Sequence, residues 1–221
     1  MRVISLRTWR RSEHFKVYSR FEQPHFGMCA NVDVTSFYPF MRERGYTFTV
    51  SLIYVLARVA NSIPEFRYRI HKDDVVEHEV VHPSTTILVE DDLFSFCSID
   101  YSDDFSGFAA RAAERIAYTR EHPSLKDDPG RDNLLFMTAI SWVSFTSFMH
   151  PLPSLPPDSV PRFAWGKRFE DGGNLKMPLA VQAHHALMDG LHVGMFYAAV
   201  QEFLTQPALF LDNQQGRGPL A

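Results

Sequence analysis

The sequence predicts one α/β domain built around a mixed β-sheet, and three observations support that fold class. Residues 49–63 and 191–204 place apolar side chains at helical spacing. Residues 66–99 break into short segments that are typical of antiparallel strands. Residues 177–183 form an apolar run that is typical of a strand buried on both faces. Because helices and strands alternate along a chain of 221 residues, we expect residues 1–221 to form a single domain.

The N-terminal part of the chain is predicted to contain two helices with a strand between them. Residues 9–18 place aromatic side chains at helical spacing behind a polar start, which predicts an amphipathic first helix. Residues 31–35 alternate apolar and polar side chains, which predicts a strand. Residues 49–63 form a strongly apolar helix that Pro64 ends.

The middle of the chain is predicted to be rich in strands. Polar turns and Pro83 divide it into four short segments, for which antiparallel strands fit best. These segments are residues 66–70, 75–81, 85–89 and 94–99. Residues 105–120 then form a helix with an alanine-rich face, residues 122–131 a loop with two prolines and a glycine, and residues 136–142 an apolar strand.

The C-terminal part is predicted to contain a loop, a core strand and a last helix. Five prolines between positions 151 and 161 exclude a helix or a central strand there. Residues 177–183 follow as the core strand and residues 191–204 as an amphipathic helix. We expect the polar tail at residues 213–221 to fray.

Composition and charge exclude several classes of partner. The formal net charge of -4 and the pI near 6.2 give no electrostatic reason to expect nucleic acid or an anionic membrane. Cys29 and Cys97 form neither a disulfide framework nor a metal set. The N-terminus lacks the apolar core of a signal peptide, and no apolar stretch approaches the roughly 20 residues that span a bilayer. We therefore expect a cytoplasmic protein with a small-molecule or protein partner.

The most informative segment is His184-His185-Ala186-Leu187-Met188-Asp189-Gly190, here called the histidine turn. It begins at the end of the predicted core strand, and Asp189-Gly190 turns the chain into the last helix. A histidine is a natural general base for an alcohol, because its pKa of about 6.5 leaves it largely neutral at physiological pH. Alternation along the strand sends His184 and His185 to opposite faces, and His185 is the better candidate. A carboxylate four residues on can orient that base or hold the turn through a cation elsewhere.

Two other interpretations of the histidine turn stay open on these residues alone. Adjacent histidines at a strand end can be partly buried polar residues without a catalytic role, and Asp189-Gly190 can be a plain tight turn. Alternatively, His184, His185, Asp189 and His192 could bind zinc, which imidazole and carboxylate ligands suit. Against a metal site, the two adjacent histidines point to opposite faces, and no His-Glu-x-x-His pattern is present.

The pattern His185-x-x-x-Asp189-Gly190, preceded by His184 and followed by His192-Val193, resembles the active-site signature of the chloramphenicol acetyltransferases. Other parts of the chain resemble the same family. Residues 9–18 are similar to the first helix of the family, and Pro64–Arg67 are similar to its first helix-to-strand turn. Residues 142–148 are similar to one of its central strands. Pro178, Leu179 and Gln182 also stand at positions where the family has the same residues.

The similarity runs from about residue 9 to residue 203. Condensation domains of peptide synthetases share the short motif but are far longer, and dihydrolipoamide acyltransferase cores normally follow lipoyl modules that are absent here.

The resemblance implies a two-layer α/β sandwich, with a mixed sheet covered by helices, that assembles as a homotrimer with each active site between subunits. The implied reaction transfers the acetyl group of acetyl-CoA, as co-substrate, to the hydroxyl of a small molecule without a metal. His185 would take the hydroxyl proton as the oxygen attacks the thioester carbonyl. Transfer would be direct within a ternary complex and would gain its rate from proximity and base catalysis.

The resemblance also assigns roles to individual residues. Asp189 would pair with Arg11 on the first helix and hold the histidine turn. Thr138 stands where the family has a serine whose hydroxyl donates to the tetrahedral oxyanion. Aromatic residues that match positions of the acceptor pocket are Tyr18, Phe26, Phe94 and Phe148.

Several residues depart from the family pattern and bear on the acceptor. Glu22 and His150 replace leucines, Phe96 replaces a small residue, and Ala164 replaces a threonine that helps to hold a water. Chloramphenicol is the expected acceptor, and the main alternative is the same chemistry on another hydroxylated molecule. A catalytically weakened relative that only binds an aromatic ligand is a second alternative, and a metal-dependent hydrolase is a third.

Overall fold

The computed structural model describes residues 1–126, 130–152 and 158–211, and the elements below are those of the described ranges. In chain order they are β1 (Arg2–Ile4), α1 (Ser12–Tyr18), β2 (His25–Asp33), α2 (Phe37–Glu43), α3 (Phe48–Ser62), β3 (Tyr68–His71), β4 (Asp74–Glu77), β5 (His82–Leu88), β6 (Phe94–Ser98), α4 (Phe105–Glu121), β7 (Leu134–Ile140), β8 (Arg162–Gly166), β9 (Phe169–Asp171), β10 (Asn174–His184), α5 (Gly190–Thr205) and α6 (Pro207–Leu211).

The main sheet has the strand order β2-β10-β8-β7-β5-β6, with β9 paired to β10. Strand β7 runs parallel to both β5 and β8, whereas the pairs β5–β6, β8–β10 and β2–β10 are antiparallel. The sheet is therefore mixed, as the sequence predicts.

One face of the main sheet is covered by helices, and the hydrophobic core lies between the two layers. Alternate residues of β10, such as Leu179 and Val181, point into this core and are fully buried. The ring of Phe196 on α5 stacks on Phe66 at 4.9 Å and contacts Phe163 on β8 at 5.2 Å. Helix α3 is apolar around most of its surface because it is buried in the centre of this layer. Sheet and helices confirm the predicted α/β two-layer fold class.

A second sheet of three strands, with the order β1-β4-β3, was not predicted. Its residues Val75 and Tyr68 pack in a small apolar cluster with Phe15 of α1 and with Leu187 of the histidine turn. Trp9 joins this cluster, with its ring 5.8 Å from that of Tyr68. The small sheet thus supports α1 on the side where the chain passes from β10 into α5.

The predicted helices agree closely with the structure, and the strands less so. The helix predicted at 105–120 differs from α4 by one residue at its end, and those predicted at 49–63 and 191–204 differ from α3 and α5 by one residue at each end. Helix α1 begins only at Ser12, after the predicted start at residue 9. Strand β2 ends at Asp33 and reaches back to His25, well before the predicted residues 31–35.

The β-rich middle divides between both sheets. Strands β3 and β4 belong to the small sheet, and β5 and β6 to the main one. The segment predicted as residues 75–81 contributes only β4, after which the chain crosses to the main sheet.

The family resemblance predicts a strand at residues 142–148, and this prediction is wrong. No strand lies between Ile140 and Arg162 in the described residues. Strands β7 and β8 are parallel neighbours, so the chain must return to the starting end of the sheet between them. Residues 142–148 begin this return and run over the sheet. A Cβ at Gly166 would come within 2.8 Å of the carbonyl oxygen of Val143, which shows how closely the two segments approach.

Two further predictions concern loops. Residues 151–152 and 158–161 contain neither helix nor strand, in agreement with the proline-rich prediction, while residues 153–157 lie outside the described part of the chain. The tail predicted to fray at residues 213–221 also lies outside it. None of the helices within the described ranges combines the length and apolar character that a membrane span requires.

Candidate active site

The histidine turn forms a strand–turn–helix junction. Strand β10 ends at His184, and the Asp189 side chain caps α5 by accepting a hydrogen bond from the N–H of Leu191 at 3.0 Å. The Asp189 N–H in turn donates to Nδ1 of His192 at 3.2 Å. The backbone N–H of His185 donates to the carbonyl oxygen of Pro24 at 2.8 Å, which ties the turn to the chain entering β2. The backbone that carries His185 is therefore fixed on both sides.

An ion pair from α1 anchors the same turn. Nη1 of Arg11 lies 2.7 Å from Oδ2 of Asp189, and Nη2 donates to the carbonyl oxygen of His185 at 3.3 Å. Burial would raise the pKa of the Asp189 carboxyl, but the hydrogen bonds from Arg11 and from the Leu191 N–H outweigh it and lower the pKa. The structure thus brings Arg11 and Asp189 together beneath the turn, and Arg11 also contacts the backbone of the candidate base.

The imidazole of His185 lies between two aromatic rings. It stacks face to face on Tyr18 with ring centroids 4.0 Å apart and planes 3° from parallel. Phe26 contacts it at 4.8 Å and a tilt of 45°. Nδ1 of His185 is buried without a hydrogen-bond partner, and this makes Nε2 the better candidate for contact with a substrate. Tyr18 and Phe26, both predicted pocket residues, thus fix the plane of the ring.

His184 has a different environment from its neighbour. It is buried, its ring lies 5.0 Å from that of His25, and its Nδ1 accepts a hydrogen bond from the N–H of Ala186 at 3.2 Å. Burial, together with the nearby His25, lowers the pKa of His184 to about 3. A ring that stays neutral and enclosed in this way is a poor general base at neutral pH.

A buried polar network, which sequence reasoning missed, lies beside His184 on the sheet face opposite the helices. Arg162 and Asp158 form a bidentate ion pair. Oε1 of Gln182 accepts a hydrogen bond from the backbone N–H of His150 at 2.9 Å. Burial and the positive charge of Arg162 lower the pKa of His150 to about 4. The spacing of Gln182 and His184 was a usable signal, because residues i and i+2 of a strand share a face.

Several nitrogens of this network are buried without a hydrogen-bond partner, and each is a polar group that water or a ligand would satisfy. They are both ring nitrogens of His25, both ring nitrogens of His150, and Nε2 of Gln182.

Thr138, Phe94 and Phe148 lie elsewhere on the same open sheet face. Thr138 is half-buried on β7, and the ring of Phe148 lies 4.9 Å from that of His150. Phe94 is half-exposed on β6 and packs at 5.9 Å against Phe96.

Strand register shows that Thr138 and His185 are far apart within one chain. Thr138 pairs with Ala164 of β8, and Ala164 pairs with Ala180 of β10. Ala180 precedes His185 by five residues, a distance of roughly 16 Å along the strand, and two strand spacings add roughly 10 Å across the sheet. A single chain therefore brings His185, Tyr18, Phe26, Arg11 and Asp189 together and places Thr138 away from them, while Phe148 packs against His150.

The alternative metal site at the histidine turn is not assembled. Within the described ranges, no set of three ligating atoms close enough to share an ion includes His184, His185, Asp189 or His192. The ring of His192 is engaged on both sides, by Asp189 at 3.0 Å and by Glu65 at 3.4 Å.

Comparison with known proteins agrees with this geometry. The family model described as chloramphenicol acetyltransferase matches residues 1–201. A curated chloramphenicol acetyltransferase from Escherichia coli is 31% identical over 202 residues, which cover 91% of this chain and 92% of the relative. Another from Proteus mirabilis is 32% identical over 202 residues, which cover 91% and 93% of the two chains.

Solved structures give the same result. A structure titled chloramphenicol acetyltransferase aligns with a TM-score of 0.83 at 28% identity, covering 92% of this chain and 99% of the other. A dihydrolipoamide acetyltransferase from Azotobacter vinelandii aligns with a TM-score of 0.67 at 17% identity, covering 90% and 88%. The second likeness shows the fold alone.

Proposed function

The chain belongs to the chloramphenicol acetyltransferase family, and from this premise we propose that it transfers the acetyl group of acetyl-CoA to a hydroxyl of chloramphenicol. The observation that carries the proposal is the His185 imidazole, held between Tyr18 and Phe26 just after the end of β10. We take residues 1–221 to be one catalytic domain, in line with the family match over residues 1–201.

His185 acts as the general base in this proposal. Its Nε2 accepts the proton of the acceptor hydroxyl as the hydroxyl oxygen attacks the thioester carbonyl. The tetrahedral intermediate then collapses, the bond between the acetyl carbon and sulfur breaks, and the leaving thiolate takes the proton from the imidazolium. Acceptor and acetyl-CoA react directly in a ternary complex, so the rate comes from proximity and from base catalysis. No metal takes part in these steps.

Asp189 and Arg11 act as positioning residues. The Asp189 carboxylate accepts hydrogen bonds from Arg11 and from the Leu191 N–H, and Arg11 also donates to the His185 carbonyl. Through these contacts the pair fixes the backbone of the turn and with it the direction of the ring. A base that is misplaced by a fraction of an ångström loses much of its advantage, so the ion pair matters to the rate although it touches no reacting atom.

We propose that the active site forms between subunits of a homotrimer. His185 and Thr138 of one chain are too far apart to act on the same carbonyl, whereas a cyclic trimer can bring His185 of one subunit to Thr138 of the next. The Thr138 side of the sheet also exposes large apolar side chains, among them Phe94, Trp142 and Met149, and such patches are typical of protein interfaces. The Thr138 hydroxyl then donates to the developing oxyanion.

The acceptor lies among aromatic side chains in this arrangement. One subunit contributes Tyr18 and Phe26 beside His185, and its neighbour contributes Phe94 and Phe148. Aromatic walls of this kind suit the nitrophenyl ring of chloramphenicol. Because acetyl-CoA is consumed as co-substrate, we place the reaction in the cytoplasm, where acetylation would inactivate the antibiotic.

A second candidate is the same reaction on another hydroxylated acceptor. The bulky Phe96 packs against Phe94, and His150 is enclosed next to Phe148 with both ring nitrogens unpaired. With Glu22 and Ala164, these residues change the size and polarity of the pocket relative to the family pattern. An acceptor that hydrogen-bonds His150 would fit such a pocket better than a purely apolar one.

The test is the steady-state rate with chloramphenicol and acetyl-CoA, measured as free thiol released. We expect saturable turnover, and we expect His185→Ala to reduce it by about a thousandfold with the oligomer intact on gel filtration. The matched control is His14→Ala, which removes an exposed imidazole from α1.

Four results would contradict the proposal in different ways. Full activity of His185→Ala would overturn the catalytic assignment. Turnover of chloramphenicol no faster than that of a simple alcohol would exclude this acceptor and favour the second candidate. Tight calorimetric binding of chloramphenicol without turnover would identify a catalytically weakened relative. Hydrolysis that stops on chelation of a bound metal would support the hydrolase class instead.

A further inference from the structure

A second cluster of ionisable side chains lies away from the histidine turn, where the small sheet meets the main sheet. His71 ends β3, His78 follows β4, and Asp132 precedes β7. Nε2 of His71 is 2.6 Å from Oδ2 of Asp132, and Nε2 of His78 is 2.9 Å from Oδ1 of the same carboxylate. One ligating atom from each residue lies within 4.8 Å of the others. The proposed acetyl transfer uses none of the three.

The backbone around the cluster is held in place before any ligand binds. Arg69, which is fully buried, donates from Nε to the carbonyl oxygen of Asp132 at 2.7 Å and from Nη1 to that of Phe66 at 3.0 Å. The His78 N–H donates to the carbonyl oxygen of Arg67, and Nη1 of Arg67 donates back to the carbonyl oxygen of His78, both at 3.0 Å. The three side chains are therefore presented from ordered backbone, as a preorganised site requires.

We propose that His71, His78 and Asp132 bind one divalent transition-metal ion of the zinc class and that this ion joins the small sheet to the main sheet. Two imidazole nitrogens and one carboxylate oxygen are a ligand set that zinc prefers. The side chains of His71 and Asp132 are 39% and 33% exposed, whereas His78 is 12% exposed. The cluster is thus open enough for an ion to enter with a water as its fourth ligand and enclosed enough to hold it.

The two nitrogen–oxygen contacts require only small movements of the side chains, and the two imidazole nitrogens, which lie within 4.8 Å of each other, would have to approach to roughly 3.3 Å. Ligand bonds of 2.0–2.2 Å in a tetrahedral zinc site place neighbouring ligand atoms roughly 3.3 Å apart. The two nitrogen–oxygen contacts of Asp132 would therefore open by about half an ångström on binding, which side-chain rotation can provide. An aspartate carboxylate is ordinarily ionised at neutral pH, as a ligand must be.

The ion would stabilise the structure and would take no part in catalysis. The small sheet packs through Tyr68 and Val75 against α1, and α1 is preceded by Arg11, which anchors the histidine turn. A metal at the edge of this sheet would favour the folded state by binding it and not the unfolded chain. Without a metal, the same three side chains form an ordinary hydrogen-bonded cluster, and the experiment separates these two possibilities.

The experiment uses the full chain without a histidine tag, stripped of metal with a chelator and dialysed. Zn²⁺ is titrated in a calorimeter, and Co²⁺ is used as a spectroscopic probe of tetrahedral coordination. We expect one Zn²⁺ per chain and a rise in the midpoint of thermal unfolding. We expect His71→Gln and Asp132→Asn each to weaken binding by at least about tenfold, while His122→Gln, outside the cluster, binds as the unchanged protein does.

Binding below one ion per chain, or equal binding by His71→Gln and His122→Gln, would overturn the proposal. Thermal unfolding of the metal-free variants shows that they fold, so loss of binding cannot be attributed to a misfolded chain. The acetyl-transfer rate in the presence of chelator tests the proposed acetyl transfer separately from the proposed metal site. We expect the rate to be the same for His71→Gln and the unchanged protein, whether or not the metal binds.

Discussion

Arg11 and Asp189 are separated by 178 positions in the sequence, yet Nη1 of Arg11 lies 2.7 Å from Oδ2 of Asp189. The guanidinium is nearly enclosed, with 11% of its side chain exposed, while the carboxylate is 32% exposed. Because the same guanidinium also binds the His185 carbonyl, the ion pair connects the start of α1 to the backbone of the candidate base. Loss of this contact should therefore affect both stability and rate.

Replacing Arg11 by leucine should destabilise the protein and slow it. The change leaves the Asp189 carboxylate without its main partner, and a broken buried pair costs about 3–5 kcal/mol. Since Asp189 is about one-third exposed to water, we expect a value at or below the lower end of that range. Urea unfolding measures the free energy, and thiol release measures kcat. We expect a larger effect on kcat than on KM, because the ring of His185 is misdirected rather than removed.

The exposed pair of Glu13 and Lys16 on the same helix provides the control for Arg11. Their side chains are 82% and 58% exposed, and pairs of this kind contribute between about 0 and 1 kcal/mol. Glu13→Gln should therefore leave stability and kcat nearly unchanged. If Arg11→Leu left stability and kcat as little changed as Glu13→Gln does, the proposal that Arg11 anchors the histidine turn would be wrong.

Tyr18 should be needed for its ring and not for its hydroxyl. Its ring stacks on His185 at 4.0 Å with planes 3° apart, so Tyr18→Phe keeps the surface that orients the imidazole. Tyr18→Leu removes that surface and leaves the ring free to rotate. We expect Tyr18→Phe to retain most of the activity and Tyr18→Leu to lower kcat by about tenfold or more. Equal rates for the two variants would show that stacking does not position the base.

The histidine turn could be predicted from sequence because its signals are local. An apolar strand, an Asp-Gly turn and an amphipathic helix follow one another within thirty residues, and Asp189 caps the helix that it precedes. Alternation along β10 likewise separates His184 from His185. The long helices α3, α4 and α5 were predicted closely for the same reason, since their periodicity is contained in the segment itself, whereas the short helices α2 and α6 were not predicted.

The parts that could not be predicted depend on which strands become neighbours. The small sheet pairs Arg2–Ile4 with Asp74–Glu77, and no local pattern specifies a partner so far along the chain. Residues 142–148 are apolar enough for a strand, but β8 already occupies the position beside β7, so they cross the sheet instead. Similarly, His71, His78 and Asp132 form a cluster only because both sheets meet there.

His150 should make the protein sensitive to acid. Burial beside Arg162 lowers the pKa of His150 to about 4, whereas an unfolded chain has an ordinary histidine pKa of about 6.5. Between these values the unfolded state binds more protons than the folded state, so stability falls as the pH is lowered from about 6.5 to about 4. We expect His150→Leu to reduce this slope by up to about 1.4 kcal/mol per pH unit.

Urea unfolding at several pH values measures that slope. The hydrogen bond from the backbone N–H of residue 150 to Gln182 survives the substitution, and the unpaired ring nitrogens are removed. The variant His14→Asn, which replaces an exposed histidine, is the control and should keep the original slope. His184 remains in both proteins and should preserve some acid sensitivity, because its pKa is lowered to about 3. An unchanged slope for His150→Leu would contradict the assignment of a neutral, buried imidazole.

Mixing two inactive variants should restore activity if the site lies between subunits. Thr138→Ala removes the proposed oxyanion donor and should lower kcat by about a hundredfold or more, and His185→Ala removes the base. Strand register keeps these two residues far apart in one chain. In a cyclic trimer of mixed subunits, however, a His185→Ala chain can supply Thr138 to a neighbour that supplies His185.

The two variants are mixed in equal amounts, unfolded and refolded together. Random assembly then restores about a quarter of the active sites, and the rate of thiol release measures the restored activity. Activity no higher than the mean of the separate variants, in samples where differently tagged chains copurify, would show that each chain builds its site alone.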